Sequence, residues 1–130
     1  EIKVTTSQRS SVESAKIYAS QHIESVFYLA GFDVEHSDGY PGWAPNPESK
    51  LLTESVECYR KLFGTEPKVR AIHAGLECGL FLEKYPHLEM VSFGPTLRSP
   101  HSPDERCLIP TVQKFYDFLV ATLANAPVKE

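Results

Sequence analysis

The sequence has few of the features that mark membrane, nucleic-acid-binding or disulfide-rich proteins. It contains no run of five basic residues, and its formal net charge is −4, so no nucleic-acid partner is expected. Its longest apolar runs, such as FLVATLA, are far shorter than the roughly 20 residues that span a bilayer. The three cysteines (Cys58, Cys78 and Cys107) form no CxxC pair, which favours reduced thiols over a disulfide or a cysteine metal site. These absences predict a cytoplasmic protein that binds neither membrane nor nucleic acid.

An initiator Met and a signal peptide are also missing from the first residues. The chain opens on EIKVTTSQRSS, which has neither a basic n-region nor an apolar h-region. Because this opening already has the pattern of a strand, we expect a fragment of a longer protein. The 130 residues are 42% hydrophobic and 23% charged, which is typical of a globular chain with one domain or two small lobes.

The first lobe is predicted to be a strand, a helix and a second strand. Residues 1–9 alternate apolar and polar side chains, as a strand does. Apolar residues then recur at helical spacing from Val12 to Ala30, and Gly31 is the expected residue just past the helix end. Residues 32–37, FDVEHS, alternate again and are predicted to form the second strand.

The second lobe is predicted to have three helices separated by two strands. Helical periodicity covers 47–64, 74–86 and 107–126, and the strands are expected at 67–73 and 88–94. This alternation favours an α/β fold with a parallel sheet, whose strand ends would carry the functional loops. The inner face of the last helix is predicted to comprise Val112, Phe115, Tyr116, Leu119, Val120 and Leu123.

A break in the pattern separates the two lobes. Residues 38–49, DGYPGWAPNPES, contain three prolines, two glycines and the only Trp of the chain. Such a composition predicts a linker. A binding loop that uses Trp43 as a stacking platform is compatible with the same composition.

The loop GPTLRSPHSPDER (94–106) concentrates side chains that could carry chemistry. His101 follows a predicted buried strand and is suited to metal binding or to acid–base catalysis. The planar guanidinium of Arg98 could bind a carboxylate. Glu105, four residues after the histidine, could orient it. The ordinary alternative is a solvated loop in which Asp104 or Glu105 pairs with His101 and Arg98.

A second group of candidate site residues lies at the turn HAGLE. His73 and Glu77 flank Gly75, where a strand is predicted to lead into a helix. Backbone N–H groups at such a helix start suit an anionic or carbonyl group. The alternative is that Glu77 only complements the helix dipole.

The chain has too few metal ligands in its motifs for a complete catalytic zinc site. Such a site uses about three protein ligands and a water, and a two-metal site uses more. No HExxH motif and no paired EE segment occurs. No Ser or Cys stands in a nucleophile elbow. The residues therefore predict one part of a site.

Four segments carry a family resemblance: YPGWAPNPES, VRAIHAGLECGLF, MVSFGPTLRSPHSPDER and VQKFYDFLVATLA. Together they resemble the C-terminal part of aminoacyl-histidine (Xaa-His) dipeptidases. These are co-catalytic zinc exopeptidases related to carnosinases and peptidase T. The resemblance covers nearly the whole chain. It departs at Ser99-Pro100, where smaller residues such as Gly-Ala are expected.

The resemblance implies an α/β catalytic domain with an inserted lid domain of the dimerisation type. Residues 1–46 would be the last strand–helix–strand of the lid. Residues 47–130 would be the C-terminal α/β portion of the catalytic domain. The N-terminal catalytic part would carry the other zinc ligands and the glutamate that acts as general base, so no catalytic residue is expected in this chain.

The resemblance also implies residue roles and a reaction. His101 would be the last zinc ligand, while His73, Gly75, Glu77 and Arg98 would bind substrate. Two zinc ions would activate a water that hydrolyses Xaa-His dipeptides such as carnosine. The chain alone would be inactive, would bind zinc weakly, and would expose apolar surface to a partner chain or a second copy.

Two other functions are compatible with the residues alone. One is a small non-enzymatic α/β binding module that uses loop 94–106 and Trp43. The other is a different hydrolase in which His101 acts as the base.

Overall fold

The structure, a computed structural model, describes residues 2–37, 39–72 and 77–126. Within these ranges, regular structure consists of helices α1 (Glu13–Leu29), α2 (Lys50–Phe63), α3 (Glu77–Lys84) and α4 (Pro110–Ala124) and strands β1 (Leu97–Arg98) and β2 (Arg106–Cys107). The helical periodicity thus predicted the existence and order of all four helices. In the described residues, no helix is long and apolar enough to cross a membrane.

The chain divides into two compact units. Unit 1 comprises residues 1–46 and 70–88, and unit 2 comprises residues 47–69 and 89–130. This division into compact units does not test the prediction that residues 1–46 belong to a lid and residues 47–130 to a catalytic domain. That assignment stays a prediction.

Helix α1, in unit 1, ends in the way that Gly31 predicts. Gly31 has a left-handed backbone with φ of +82° and its N–H donates to the Tyr28 carbonyl. The N–H of Phe32 donates to the Phe27 carbonyl, which completes a Schellman motif. The rings of Phe27 and Phe32 lie 6.0 Å apart, centroid to centroid. The apolar contact that usually accompanies this motif is therefore present.

The segment between the lobes is fitted closely into unit 1 along residues 40–42. The Lys16 ammonium donates to the Tyr40 carbonyl at 2.7 Å, and the Gly42 N–H donates to the Glu13 carboxylate at 2.9 Å. A Cβ on Gly42 would lie 2.8 Å from the Ser11 carbonyl oxygen, so only glycine fits without a shift. These contacts make residues 40–42 a packed part of unit 1 rather than a free linker.

Helix α2, in unit 2, begins with a buried polar cap. The N–H of Leu52 donates to Ser49 Oγ, and Ser49 Oγ in turn donates to the Glu89 carboxylate at 3.1 Å. Glu89 also accepts from the N–H groups of Lys50 and Leu51. The Leu51 N–H bond contributes most to lowering the pKa of Glu89, and the Ser49 and Lys50 bonds act in the same direction. Gly64 ends the helix at φ of +64°.

An aromatic cluster forms the core of unit 2, where α2 packs on α4. Phe118 lies at its centre and is 9% exposed. Its ring contacts Tyr59 at a centroid distance of 5.3 Å and Phe93 at 4.6 Å. Phe93 also contacts Phe115 at 5.7 Å. Buried Cys58 of α2 belongs to the same core, although the helical pattern did not single it out.

The predicted inner face of α4 is partly wrong. Phe115 and Leu119 are half-buried, as predicted, but Phe118 is the residue that α4 buries. The other predicted residues are exposed: Val112, Tyr116, Val120 and Leu123. Helix α4 therefore carries two apolar stripes, and periodicity alone could not tell which of them packs on α2.

The predicted parallel sheet is not found among the described residues. The four segments predicted as strands, at 1–9, 32–37, 67–73 and 88–94, have no strand wherever they are described. The two strands that do form pair antiparallel in a hairpin. A strand needs the N–H and C=O groups of a neighbour, so an alternating pattern without a partner cannot complete a ladder. Within the described ranges, the fold is mixed, with many helical and few strand residues.

Candidate functional site

The loop that carries His101 is presented by the β1–β2 hairpin. Leu97 pairs with Cys107, and Arg98 pairs with Arg106. The Leu108 N–H donates to the Thr96 carbonyl at 2.9 Å and extends the contact beyond the strands. The loop from 99 to 105 therefore has both ends fixed. The sequence did not predict this hairpin, because its strands are only two residues long.

The start of helix α4 and the aromatic core hold the base of the hairpin. The Thr96 N–H donates to Thr111 Oγ1 at 2.9 Å, and Thr111 Oγ1 donates to the Leu108 carbonyl at 2.7 Å. Phe93, just before the loop, is anchored between Phe115 and Phe118. The buried cluster of unit 2 thus supports the exposed loop.

His101 stands in an unusual backbone conformation at the tip. Its φ is +62°, in the left-handed region that non-glycine residues rarely occupy. Its N–H donates to Glu105 Oε2 at 2.8 Å. The residue is exposed, and none of the hydrogen bonds of the described residues uses its ring. Glu105 thus contacts the histidine through the backbone, which does not match the alternative of a carboxylate–imidazole pair.

Arg98 is exposed on β1, directly across the ladder from Arg106. Side chains at directly opposite positions share a face, so the two positive charges lie on the same side of the hairpin. Within the described residues, neither guanidinium forms an ion pair with Asp104 or Glu105. The alternative in which these carboxylates neutralise Arg98 is therefore not observed.

The second group of candidate site residues, at the turn HAGLE, is only partly described. His73 and Gly75 lie outside the described residues. Glu77 is the first residue of α3 and is exposed. It belongs to unit 1, whereas Arg98 and His101 belong to unit 2. The expectation that the two loops face one site therefore stays a prediction.

Two other histidines have neighbours in unit 1. His36 Nε2 lies 3.2 Å from the Glu24 carboxylate, and its Nδ1 lies 3.1 Å from Ser20 Oγ. The sequence does contain one His-x-Asp spacing, at His36 and Asp38, but Asp38 lies outside the described residues. The His22 ring lies 4.8 Å from Tyr18. The contacts of His36 with α1 fit a structural role.

The described residues do not bring a set of metal donors together. Among the described residues, no group of three His, Cys, Asp or Glu side chains is placed to hold a metal ion. The exposed imidazole of His101 is a suitable zinc donor, because its ring nitrogens are not engaged by the described residues. The cysteines are free thiols, and burial raises the pKa of Cys78.

Comparison with known proteins shows that this chain is similar to dipeptidases. The chain is 42% identical over 121 residues to the cytosol non-specific dipeptidase of Escherichia coli (strain K12), which is 93% of this chain and 25% of that protein. It is 45% identical to the aminoacylhistidine dipeptidase of Vibrio alginolyticus, whose crystal structure it matches with a TM-score of 0.74. That match covers 93% of this chain and 25% of the other. No protein-family model matches the sequence.

These matches confirm the resemblance that the motifs indicated. Both relatives are dipeptidases, and the structural match extends the likeness from sequence to fold. The chain spans about a quarter of the length of each. Over nearly all of its residues, this chain is therefore homologous to one segment of a dipeptidase.

Proposed function

We propose that this chain is the C-terminal segment of a metal-dependent dipeptidase that hydrolyses Xaa-His dipeptides. The observation that carries the proposal is the likeness to two dipeptidases at 42% and 45% identity over 93% of the chain. The exposed imidazole of His101, on a hairpin fixed to the core of unit 2, agrees with it.

In this proposal His101 supplies one imidazole ligand to a zinc site completed by residues outside this chain. Zinc ions held there would supply an activated water and polarisation of the scissile carbonyl. Arg98 binds the substrate carboxylate, since its guanidinium forms no ion pair with the described residues and is available for a bidentate contact. His73, Gly75 and Glu77 contact the substrate from the second loop. The general base belongs to the remaining three quarters of the enzyme.

The same proposal assigns the two parts of the chain to domains. Residues 1–46 are part of the lid, and residues 47–130 are the C-terminal portion of the catalytic domain. Apolar residues that are exposed on α1 and α4 support a larger assembly or a homo-oligomer in which they are covered. A cytoplasmic location is proposed from the relative that is named a cytosol dipeptidase.

A small binding module that uses loop 94–106 and Trp43 is not favoured. Both matched relatives are dipeptidases, and the likeness includes the loop itself within its 93% coverage. Trp43 is half-buried in unit 1, which leaves less of its ring for stacking.

Carnosine hydrolysis tests the proposal. We expect no hydrolysis by the 130-residue chain at any zinc concentration, and zinc-dependent hydrolysis by the longer polypeptide that carries it. In that polypeptide, His101→Ala should abolish activity and weaken zinc binding, whereas the matched change His87→Ala, at another exposed histidine, should do neither. Chelator-sensitive hydrolysis by the short chain would show that its site is complete, and unchanged zinc affinity in His101→Ala would exclude the ligand role.

A further inference from the structure

The loop between β1 and β2 contains two non-glycine residues with left-handed backbone. Ser99 has φ of +51° and His101 has φ of +62°. Such a conformation costs free energy in any residue with a Cβ, so it persists only where neighbouring contacts impose it. The contacts within this loop therefore determine the placement of His101.

A network of four hydrogen bonds lies within the loop. The His101 N–H donates to Glu105 Oε2 at 2.8 Å, and the Glu105 N–H donates to the Ser102 carbonyl at 3.0 Å. Ser102 Oγ donates to the Ser99 carbonyl at 2.8 Å and accepts from the Asp104 N–H at 3.2 Å. Glu105 thus accepts from the His101 N–H through its carboxylate, while its own N–H is bonded within the same turn.

The Glu105 carboxylate acts on the backbone of His101 and leaves the imidazole unused. A hydrogen bond from an amide to a carboxylate is stronger than one to a neutral acceptor, so it can offset the cost of the left-handed conformation. Because the ring nitrogens take no part, both tautomers stay open to a metal ion. This differs from the usual arrangement, in which a carboxylate orients a ligand histidine through its second ring nitrogen.

We propose that Glu105 is a positioning residue that fixes the left-handed backbone of His101 and so presents its imidazole for metal binding. The metal-binding half of this inference rests on the proposed function, whereas the backbone half rests on the structure alone. Asp104 provides a matched control, because it has the same charge one residue away and only its backbone N–H takes part in the network.

The backbone half is tested by NMR on the 130-residue chain. We expect Glu105→Ala to move the His101 amide resonance and to bring its φ to negative values, read from the intraresidue nuclear Overhauser effect between the amide proton and Hα, which is strong only at positive φ. Glu105→Gln retains an uncharged acceptor and should shift the resonance less. Asp104→Ala should leave φ of His101 positive. A positive φ that survives in Glu105→Ala would overturn the inference.

The metal half is tested by zinc affinity, measured by chelator competition in the longer polypeptide that carries this chain. We expect Glu105→Ala to weaken zinc binding by about tenfold, the lower end for residues that position a metal ligand. Asp104→Ala should have no effect. If His101→Ala weakens zinc binding and Glu105→Ala does not, Glu105 has no positioning role. If His101→Ala itself changes nothing, the proposed function fails, and the NMR result still decides the backbone half.

Discussion

Unit 2 is built around a buried aromatic cluster, whereas helix α1 of unit 1 buries none of its residues. In unit 2, Phe118 is buried between α2 and α4, and Ser49 and Ser55 are buried with their hydroxyls hydrogen-bonded. In unit 1, α1 has no buried residue, and its side chains Tyr28 and Leu29 are 76% and 86% exposed.

The difference lies in what covers each helix. The better covered face of α1 is only half-buried and is mixed: it carries the apolar residues Ala19, Ile23 and Phe27. It also carries the polar residues Lys16, Ser20 and Glu24, whose side chains contact Tyr40 and His36. Hydrogen bonds of exposed groups contribute little net free energy, whereas burial of an aromatic ring contributes several kcal/mol. Unit 2 therefore supports its loop on a buried aromatic cluster, whereas α1 leaves large apolar side chains such as Tyr28 and Leu29 exposed.

The largest effect is expected at the centre of the unit 2 core. Phe118→Ala should lower the free energy of unfolding by about 3 kcal/mol, because it removes a ring packed against Tyr59 and Phe93. Urea unfolding followed by circular dichroism measures this change. Tyr116→Ala removes a ring of similar size from the same helix, but Tyr116 is 58% exposed, so less than about 0.5 kcal/mol is expected. Equal losses in the two variants would mean that the cluster is not the core.

A smaller effect is expected on association through α1. Leu29→Lys should weaken self-association by about 2 kcal/mol for each leucine that the interface buries, which is roughly thirtyfold in the dissociation constant per leucine. Sedimentation equilibrium measures it. Gln21→Lys adds the same charge to an exposed position of the same helix and serves as the control. An unsubstituted chain that is monomeric at every concentration would remove the second copy as the partner of this surface.

The smallest effect concerns the cap of α2. Ser49→Ala should cost about 1 kcal/mol, since the buried hydroxyl caps the helix and donates to Glu89. The folded-state pKa of Glu89 is lowered, so its contribution is present above the unfolded-state pKa and is lost as pH falls through the folded-state value. The urea midpoint should therefore fall more on acidification in the unsubstituted chain than in Glu89→Gln.

Glu54→Gln is the control for the cap. Glu54 is an exposed carboxylate of α2, and its replacement should leave the acid-dependent fall in the midpoint as it is in the unsubstituted chain. An identical pH dependence in Glu89→Gln and the unsubstituted chain would show that the Glu89 contacts do not contribute to stability.

The local signals predicted most of the helical architecture, and they singled out loop 94–106 as the candidate site. Gly31 and Gly64 end α1 and α2 in left-handed conformations, and Pro110 opens α4, because these residues act through their own backbone restrictions. His101 could be selected from residue type and motif. The hydrogen bond from the His101 N–H to Glu105 could not be predicted, because it depends on a left-handed φ that the sequence pattern does not encode.

By itself the sequence determined where the four helices lie, that glycines end α1 and α2, and that the chain resembles part of a dipeptidase. The tertiary structure decided which apolar stripe of α4 is buried, how Glu89 caps a helix 38 residues before it in the chain, and how a two-residue hairpin holds the loop. Local conformation follows from the covalent properties of neighbouring residues. Contacts between distant residues depend on which surfaces meet, and a strand without a neighbour has nothing with which to pair.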